Sequence, residues 1–336
     1  MIIGTTKETQ NFETRVPITP QTVSLLKKQG FDVIIESKSG EKSLFSDTDY
    51  KNAGATITLH SSEVLNKSDI LFKINAPSSD EIRKIKPHCT IIGNLQNLKH
   101  SDLTLIKKNK ITCFALERLP RISRAQPFDI LSSQNNLAGY QAVIKAASLS
   151  SKTIPLMTTS AGTLPPLKFL IIGVGISGLQ AIATAKRLGG KVYATDIRKE
   201  AQEQIISLGA TYLSNIKKVL PEIDVIITSA FSPSKKPPLI ITKKDILSLP
   251  PHCILIDMAA QYGGNIEGSK NLQTINIKKR TIYGNSNLET MLPTSASILF
   301  ANNIINFLQY IYSNPKSALD LDFDDPIIKA TCISKG

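Results

Sequence analysis

At 336 residues the chain is long enough for about two domains, each with its own core, which excludes a peptide or a small stapled scaffold. Hydrophobic residues make up 41% and charged residues 20%, the balance of a chain that folds rather than one that stays disordered. The formal charge of +13 could serve a nucleic acid, an anionic membrane surface or a phosphorylated ligand. However, the lysines are dispersed or merely paired (Lys217-Lys218, Lys235-Lys236, Lys243-Lys244, Lys278-Lys279) and no aromatic-interleaved RNA motif accompanies them, so no nucleic-acid partner is expected.

Met1-Ile2-Ile3 runs straight into Gly4 and the charged Lys7-Glu8, without the basic start and apolar middle of a signal peptide; a cytoplasmic location is expected. Strands are predicted at Ile2–Gly4, Phe31–Ser37, Asp69–Ile74, Cys89–Leu95 and Ile111–Leu116. Between the first two, Thr19 offers an N-cap, Pro20 suits the first helical position and Gly30 ends the helix, making one βαβ unit. At Arg121 the pattern changes to a polar loop, read as a domain linker, followed by a long helix from about Gln134 to Ser148.

A second alternating series follows, with strands at Lys168–Ile172, Lys191–Thr195, Asp224–Ser229, Cys253–Met258 and Thr281–Tyr283. The two series share a weak echo, KPHCTIIG at residues 86–93 and PPHCILID at 250–257, for which chance and duplication are equally good accounts. The closing segment Ser295–Ser313 carries Ile298, Ala301, Ile305 and Leu308 at helical spacing and is expected to return to the first domain. Its apolar run is broken by Asn302, Asn303, Asn306 and Gln309, so no membrane span is predicted. Cys89, Cys113, Cys253 and Cys332 stand singly with no CxxC, which suits reduced thiols rather than disulfides or a metal site. The expected architecture is α/β, two Rossmann-like doubly wound parallel-sheet domains with the second inserted into the first: 1–132 with 295–336, and 133–294 as the dinucleotide domain.

The sharpest motif is LKFLIIGVGISGLQAIATAKRLGGKVYATDIR. Gly173, Gly175 and Gly178 form GxGxxG directly after an apolar strand and at the start of an amphipathic helix. Glycine there permits a tight turn and a close backbone approach to a pyrophosphate, which the helix N-terminus at Ile176 and Ser177 then holds. Asp196 ends the next strand 18 residues after Gly178, where a carboxylate can accept both ribose hydroxyls. It would repel the 2′-phosphate of NADP, although Arg198 beyond Ile197 could tolerate one; NAD is favoured. Thr228-Ser229-Ala230-Phe231 closes a strand facing the same crevice, with a plain strand terminus an even alternative.

The run PRISRAQPFDILSSQNNLAGYQAV, the phrase AGTLPP before the glycine motif, TDIR, IDMAAQYGG and KETQNFETRVPITP together resemble the NAD(H)-binding alpha subunits of proton-translocating NAD(P) transhydrogenases over nearly the whole chain. Alanine dehydrogenases belong to the same superfamily and share the glycine fingerprint. In these the ketoacid is held by a Lys in a KVKEP-like stretch and protonated through a His in an FLH-like stretch, with an Asp before the paired glycines. Here LFKINAP, IIGNLQN and DMAAQYGG put Asn75, Gln96 and Gln261 at those places, and none shuttles a proton near neutral pH. Arg15 matches the substrate-contacting Arg, but its motif is common to both branches and a structural salt bridge accounts for it equally well.

The resemblance implies that Arg121, Asp129 and Ser132, with Ile122 and Ser123 beside them, hold the nicotinamide carboxamide and ribose, while Gln126 reaches the NADP(H) of a partner. It further implies NAD(H) on this chain with Gly173, Gly175, Ile176, Ser177, Gly178, Asp196, Ile197, Arg198, Ala230 and Phe231 around it. A homodimer, membrane and NADP(H)-binding partner subunits, and attachment to the membrane only through them are also implied. One departure is that GATYLSNIKKVLPEIDVIITSA passes directly between strands where family members carry a mobile loop. A soluble keto-acid dehydrogenase and a non-catalytic NAD-binding module are the alternative readings.

Overall fold

The computed structural model describes residues 1–231, 236–312 and 321–336; Lys235 and the end of the predicted closing segment at Ser313 lie outside the described residues. In chain order the first half runs β1 (Ile2–Thr5), α1 (Pro20–Lys28), β2 (Asp32–Glu36), α2 (Asp47–Asn52), β3 (Thr56–Thr58), α3 (Ser61–Lys67), β4 (Ile70–Lys73), α4 (Ser79–Lys84), β5 (Thr90–Gly93), α5 (His100–Lys108) and β6 (Thr112–Ala115). The long helix α6 (Ile130–Leu149) leads to a hairpin, β7 (Met157–Thr159) and β8 (Gly162–Leu164), and then to β9 (Lys168–Ile172), α7 (Ile176–Arg187), β10 (Lys191–Thr195), α8 (Glu200–Ser207) and β11 (Thr211–Tyr212). After these come β12 (Val225–Thr228), α9 (Lys243–Ser248), β13 (Ile254–Asp257), β14 (Gln273–Ile277), β15 (Arg280–Gly284), α10 (Pro293–Ile311), α11 (Pro326–Thr331) and β16 (Cys332–Ser334).

The chain divides into two units, 1–134 with 292–336 and 135–291. Among the described residues the first holds a seven-stranded sheet in the order β16-β6-β5-β4-β1-β2-β3 and the second one in the order β11-β10-β9-β12-β13-β15-β14. Read from the appropriate edge, the two orders coincide strand for strand: six parallel strands, then one antiparallel at the edge, β16 on β6 and β14 on β15. Both are doubly wound Rossmann-type sheets with an antiparallel margin. The strands in the middle read as unbroken apolar runs because both faces are covered. In the first unit Ile3, Ile35, Phe72 and Phe114 pack one face and Leu71, Ile91 and Cys113 the other. In the second, Phe169, Ile171 and Ile227 oppose Leu170, Ile226 and Leu255. Each such side chain contributes roughly 1.5–3 kcal/mol relative to exposure.

The echoed segments fall on topologically equivalent strands, β5 and β13. Both His88 (φ 64°) and His252 (φ 69°) are left-handed, and each is followed by a buried cysteine, Cys89 or Cys253. The match extends to the strand bases: Asp69 accepts the Ile2 N–H (2.6 Å) and Asp224 the Lys168 N–H (2.9 Å), each ahead of the fourth strand and bonded to the first. The repetition is structural, extending from the sheet order to the bases of individual strands.

Two features differ from the sequence reading. The polar segment after Arg121 is a 3-10 turn over Ser123–Phe128, anchored in the first unit by buried Ala125 and Phe128, and the unit boundary falls inside α6, after Gln134. Helix α6 begins at Ile130, four residues before the expected Gln134, because Asp129 takes the place of an N-cap. Its carboxylate accepts the Ser132 N–H at 2.9 Å and also the Ser132 hydroxyl. The helix start therefore lies in a charged residue that hydropathy alone passes over.

Candidate functional site

In the second unit the strand order reverses between β9 and β12, the place where open α/β sheets bind ligands. The turn from β9 into α7 is built by its glycines. Gly173 has φ +89°, and a Cβ there would lie 2.7 Å from the Ala230 nitrogen. At Gly178 a Cβ would sit 2.0 Å from the Gly173 carbonyl oxygen, so helix and strand close only over hydrogen at both positions. Gly175 is different: a Cβ there would meet nothing within 4 Å. It is the N-cap of α7 and makes no side-chain cap, which leaves the first-turn N–H groups facing open space suited to an anion.

Asp196 follows β10 and reaches across to this turn. One carboxylate oxygen accepts the Val174 N–H at 2.7 Å; the other accepts the Arg198 N–H at 2.9 Å and its Nε–H at 3.0 Å. Burial raises the Asp196 pKa, but the Arg198 guanidinium and the two backbone N–H groups outweigh it and hold the carboxyl below its ordinary value. Ile197 between them is fully exposed and Ile176 partly so.

The end of β12 lies against the same turn. Ser229 Oγ donates to the Gly173 carbonyl at 2.8 Å, and Ala230 exchanges two hydrogen bonds with the Asn265 side chain (3.2 and 2.9 Å). Phe231 stacks on Tyr262 with centroids 4.3 Å apart. Asn265 is fixed in turn by buried Asp257, whose carboxylate accepts the N–H groups of Ala259, Asn265 and Ile266; burial raises the Asp257 pKa. Sequence reasoning missed this Asp257–Asn265 support, since neither residue lies in the glycine motif and the link spans eight positions of an irregular loop.

The remaining predicted site residues, Arg121, Ile122, Ser123, Gln126, Asp129 and Ser132, belong to the first unit. The structure brings Asp129 and Ser132 together as the cap described above. Arg121 through Arg124 and Gln126 are exposed between the buried anchors Leu116, Ala125 and Phe128.

The positions expected of a keto-acid site are also in the first unit, Gln261 excepted. Arg15 forms a two-pronged ion pair with Glu13 (2.7 Å at both Nε and Nη2) and donates to Gln134 at 3.0 Å. Asn75 donates to Glu13 at 3.0 Å and Glu8 at 3.3 Å, beside a cavity of about 250 Å³ that Lys7, Glu8, Arg15 and Lys42 help to line. Gln96 is exposed, and Gln261 accepts from Asn287 at 3.2 Å. Lys73, unremarked in the sequence, is 1% exposed and bonded to Glu81 (3.1 Å), Thr6 (3.1 Å) and Glu8 (3.5 Å). Burial pulls the Lys73 pKa down, but the two carboxylates raise it overall; Glu81 is lowered in return, and burial raises Glu8. The signal available was a lysine inside an otherwise apolar strand. No helix among the described residues is long and apolar enough to cross a membrane.

Residues 4–138 match the N-terminal domain of the alanine dehydrogenase/PNT family and residues 142–336 its C-terminal domain. The chain is 35% identical to an NAD(P) transhydrogenase alpha-subunit chain of Rhodospirillum rubrum, covering all of this chain and 96% of the relative. That alignment runs over 370 positions against 336 residues here, so the relative carries segments that this chain lacks. Among solved structures, a transhydrogenase from Sinorhizobium meliloti superposes with a TM-score of 0.92 at 35% identity, covering 100% of this chain and 98% of that one. An L-alanine dehydrogenase superposes at 0.87 with 22% identity, covering 100% and 95%, and shows the shared fold.

Proposed function

The chain belongs to the transhydrogenase alpha-subunit branch of the alanine dehydrogenase/PNT family, and we propose that its NAD(H) site works by hydride exchange with NADP(H) held on a separate partner subunit. The observation that carries this reading is an intact dinucleotide turn in a chain whose keto-acid positions hold Asn75 and Gln96. A keto-acid dehydrogenase needs a group that delivers a proton to the substrate. Exchange between two nicotinamides needs none, and its demand is for position and for exclusion of water.

The bound cofactor supplies the hydride chemistry; the chain supplies its placement. The N–H groups of Ile176 and Ser177, below the open space over Gly175, would hold the pyrophosphate, and Asp196 would hold the adenosine ribose hydroxyls, the half-exposed Arg198 sharing its carboxylate. Ala230 and Phe231 border the same turn, Ala230 fixed by Asn265 and Phe231 stacked on Tyr262. Arg121, Ile122, Ser123, Asp129 and Ser132 are assigned to the nicotinamide carboxamide and ribose, and Gln126 to the partner's NADP(H), because its amide both donates and accepts. In the same reading the chain is a homodimer that couples to proton translocation, transfers with Si specificity, and meets the membrane only through its partner subunits. The test is a pair of measurements on the purified chain, NADH titration and reduction of pyruvate with NADH and ammonium. Binding without pyruvate turnover is expected; turnover well above buffer would give the site to the keto-acid branch.

A further inference from the structure

Gln126 is exposed, yet the segment carrying it is fastened from one side by elements nearly 180 residues downstream. Asn303 and Asn306, one turn apart on α10, both donate from Nδ2 to a single backbone carbonyl, that of Pro127, at 2.8 and 3.3 Å. Asn303 bonds on both sides of its amide: its Oδ1 accepts the Ser133 hydroxyl at 2.7 Å on the other side of Asp129. Phe128 is held edge-on by Phe307 (5.8 Å) and packs on Tyr310 (5.1 Å) from the same helix. On the near side of Gln126, Arg124 pairs with Asp325 at 3.0 Å and lies over the Tyr310 ring, while the Tyr310 hydroxyl donates to the same Asp325 carboxylate. Asp325 is itself immobilised as the N-cap of α11. The polar residues that break the apolar run of α10 thus sit where the loop needs them.

We infer that Asn303, Asn306, Tyr310 and Asp325 form a clamp of positioning residues that holds the Arg121–Asp129 loop in the conformation required for hydride transfer, and that the C-terminal segment is part of that machinery. Two donors on one carbonyl fix the backbone beside Gln126, and the Arg124–Asp325 pair fixes the other flank. The glutamine side chain is left free while its Cα is not, which is the preorganisation a transfer between two separately bound rings demands. None of the four needs to touch NADH, so the clamp acts through the loop. The inference rests on the hydride-exchange reading.

The test reads the loop and the reaction separately. Trypsin can cut after Arg121 and Arg124 only if the loop opens. N303D/N306D puts acceptors against the Pro127 carbonyl while keeping the Ser133 contact; D325N weakens the Arg124 pair but remains a competent helix cap. In both variants we expect cleavage at those arginines to quicken at least tenfold, and single-turnover transfer from NADH-saturated chain to NADP+ on the partner subunit to slow at least tenfold. The NADH Kd and the thermal unfolding midpoint should stay within threefold and a few degrees of wild type. If N303D/N306D fails to fold, D325N carries the same expectations alone. Wild-type rates of cleavage or of transfer in the folded variants overturn the clamp. A wild-type chain that binds NADH but transfers nothing to a loaded partner overturns the hydride-exchange reading itself, and the clamp's role with it.

Discussion

In the proposed site Asp196 is the residue that would choose between the two nicotinamide dinucleotides, by charge and geometry. Its carboxylate, kept ionised by Arg198 and the Val174 N–H, could accept ribose hydroxyls but would repel a 2′-phosphate. NADH is expected to bind at least about tenfold more tightly than NADPH, equivalent to about 1.4 kcal/mol. Asp196→Ala should weaken NADH and narrow the gap, and equal wild-type affinities in fluorescence titration would contradict the assignment. Lys73 makes a stability prediction of a different kind. It pairs with both Glu8 and Glu81, so Lys73→Met leaves the buried Glu8 and the half-buried Glu81 carboxylates without their cation and should cost on the order of 3–5 kcal/mol at pH 7. In the wild type Glu81 has a lowered pKa, so its contribution is present above the ordinary carboxyl range and lost as pH falls through the folded value; Lys73, raised, contributes until pH climbs through its own. Without Lys73 the carboxyl pKa values rise, the folded state takes up protons first, and the difference in melting temperature from wild type should shrink on acidification. A constant difference from pH 8 to pH 5 would refute this.

The turn between β9 and α7 separates binding from folding at single positions. Gly175→Ala adds a methyl group where nothing stands within 4 Å and at a φ of −78° that alanine accepts. Its melting temperature should be unchanged or slightly raised, whereas NADH affinity should fall at least about tenfold if the pyrophosphate approaches there as proposed. Gly178→Ala forces a carbon against the Gly173 carbonyl and should destabilise the fold by about 3 kcal/mol or more; calorimetry and titration of the two variants check both. The Arg121–Asp129 loop gives the complementary case. Gln126→Ala should slow transfer in the assembled complex by on the order of tenfold, or about 1.4 kcal/mol, and move NADH affinity far less. A collapse of affinity with normal transfer from saturated protein would make Gln126 an ordinary ligand of NADH.

What could be read in advance follows from the same physics. Strands β9 and β10 have the predicted limits because apolar runs end at a glycine turn and at Asp196, whereas β3, β11, β14 and β16 lie at or next to sheet edges, are short or polar, and leave little hydropathy signal. The glycine turn and Asp196 were legible because they are local. Asp257–Asn265 and the α10 contacts were not, since they join residues whose only relation is three-dimensional.

At the scale of the molecule, one sheet topology occurs twice, but the dinucleotide turn occurs once. The first unit begins β1-Lys7-Glu8 where the second has Gly173–Gly178, and its buried charges Glu8, Glu13, Arg15 and Lys73 are spent on one another. In the proposed function the second half binds NAD(H) and the first presents the Arg121–Asp129 loop, so the chain would have no second substrate of its own and turnover would be a property of the assembly. The most direct measurement is a single-turnover mixing experiment in which the chain saturated with NADH meets its NADP(H)-binding partner loaded with NADP+. The account predicts loss of NADH and appearance of NADPH in equal amounts, only when both proteins are present and without any keto acid. NADH that remains bound and unoxidised in the assembled complex would contradict it.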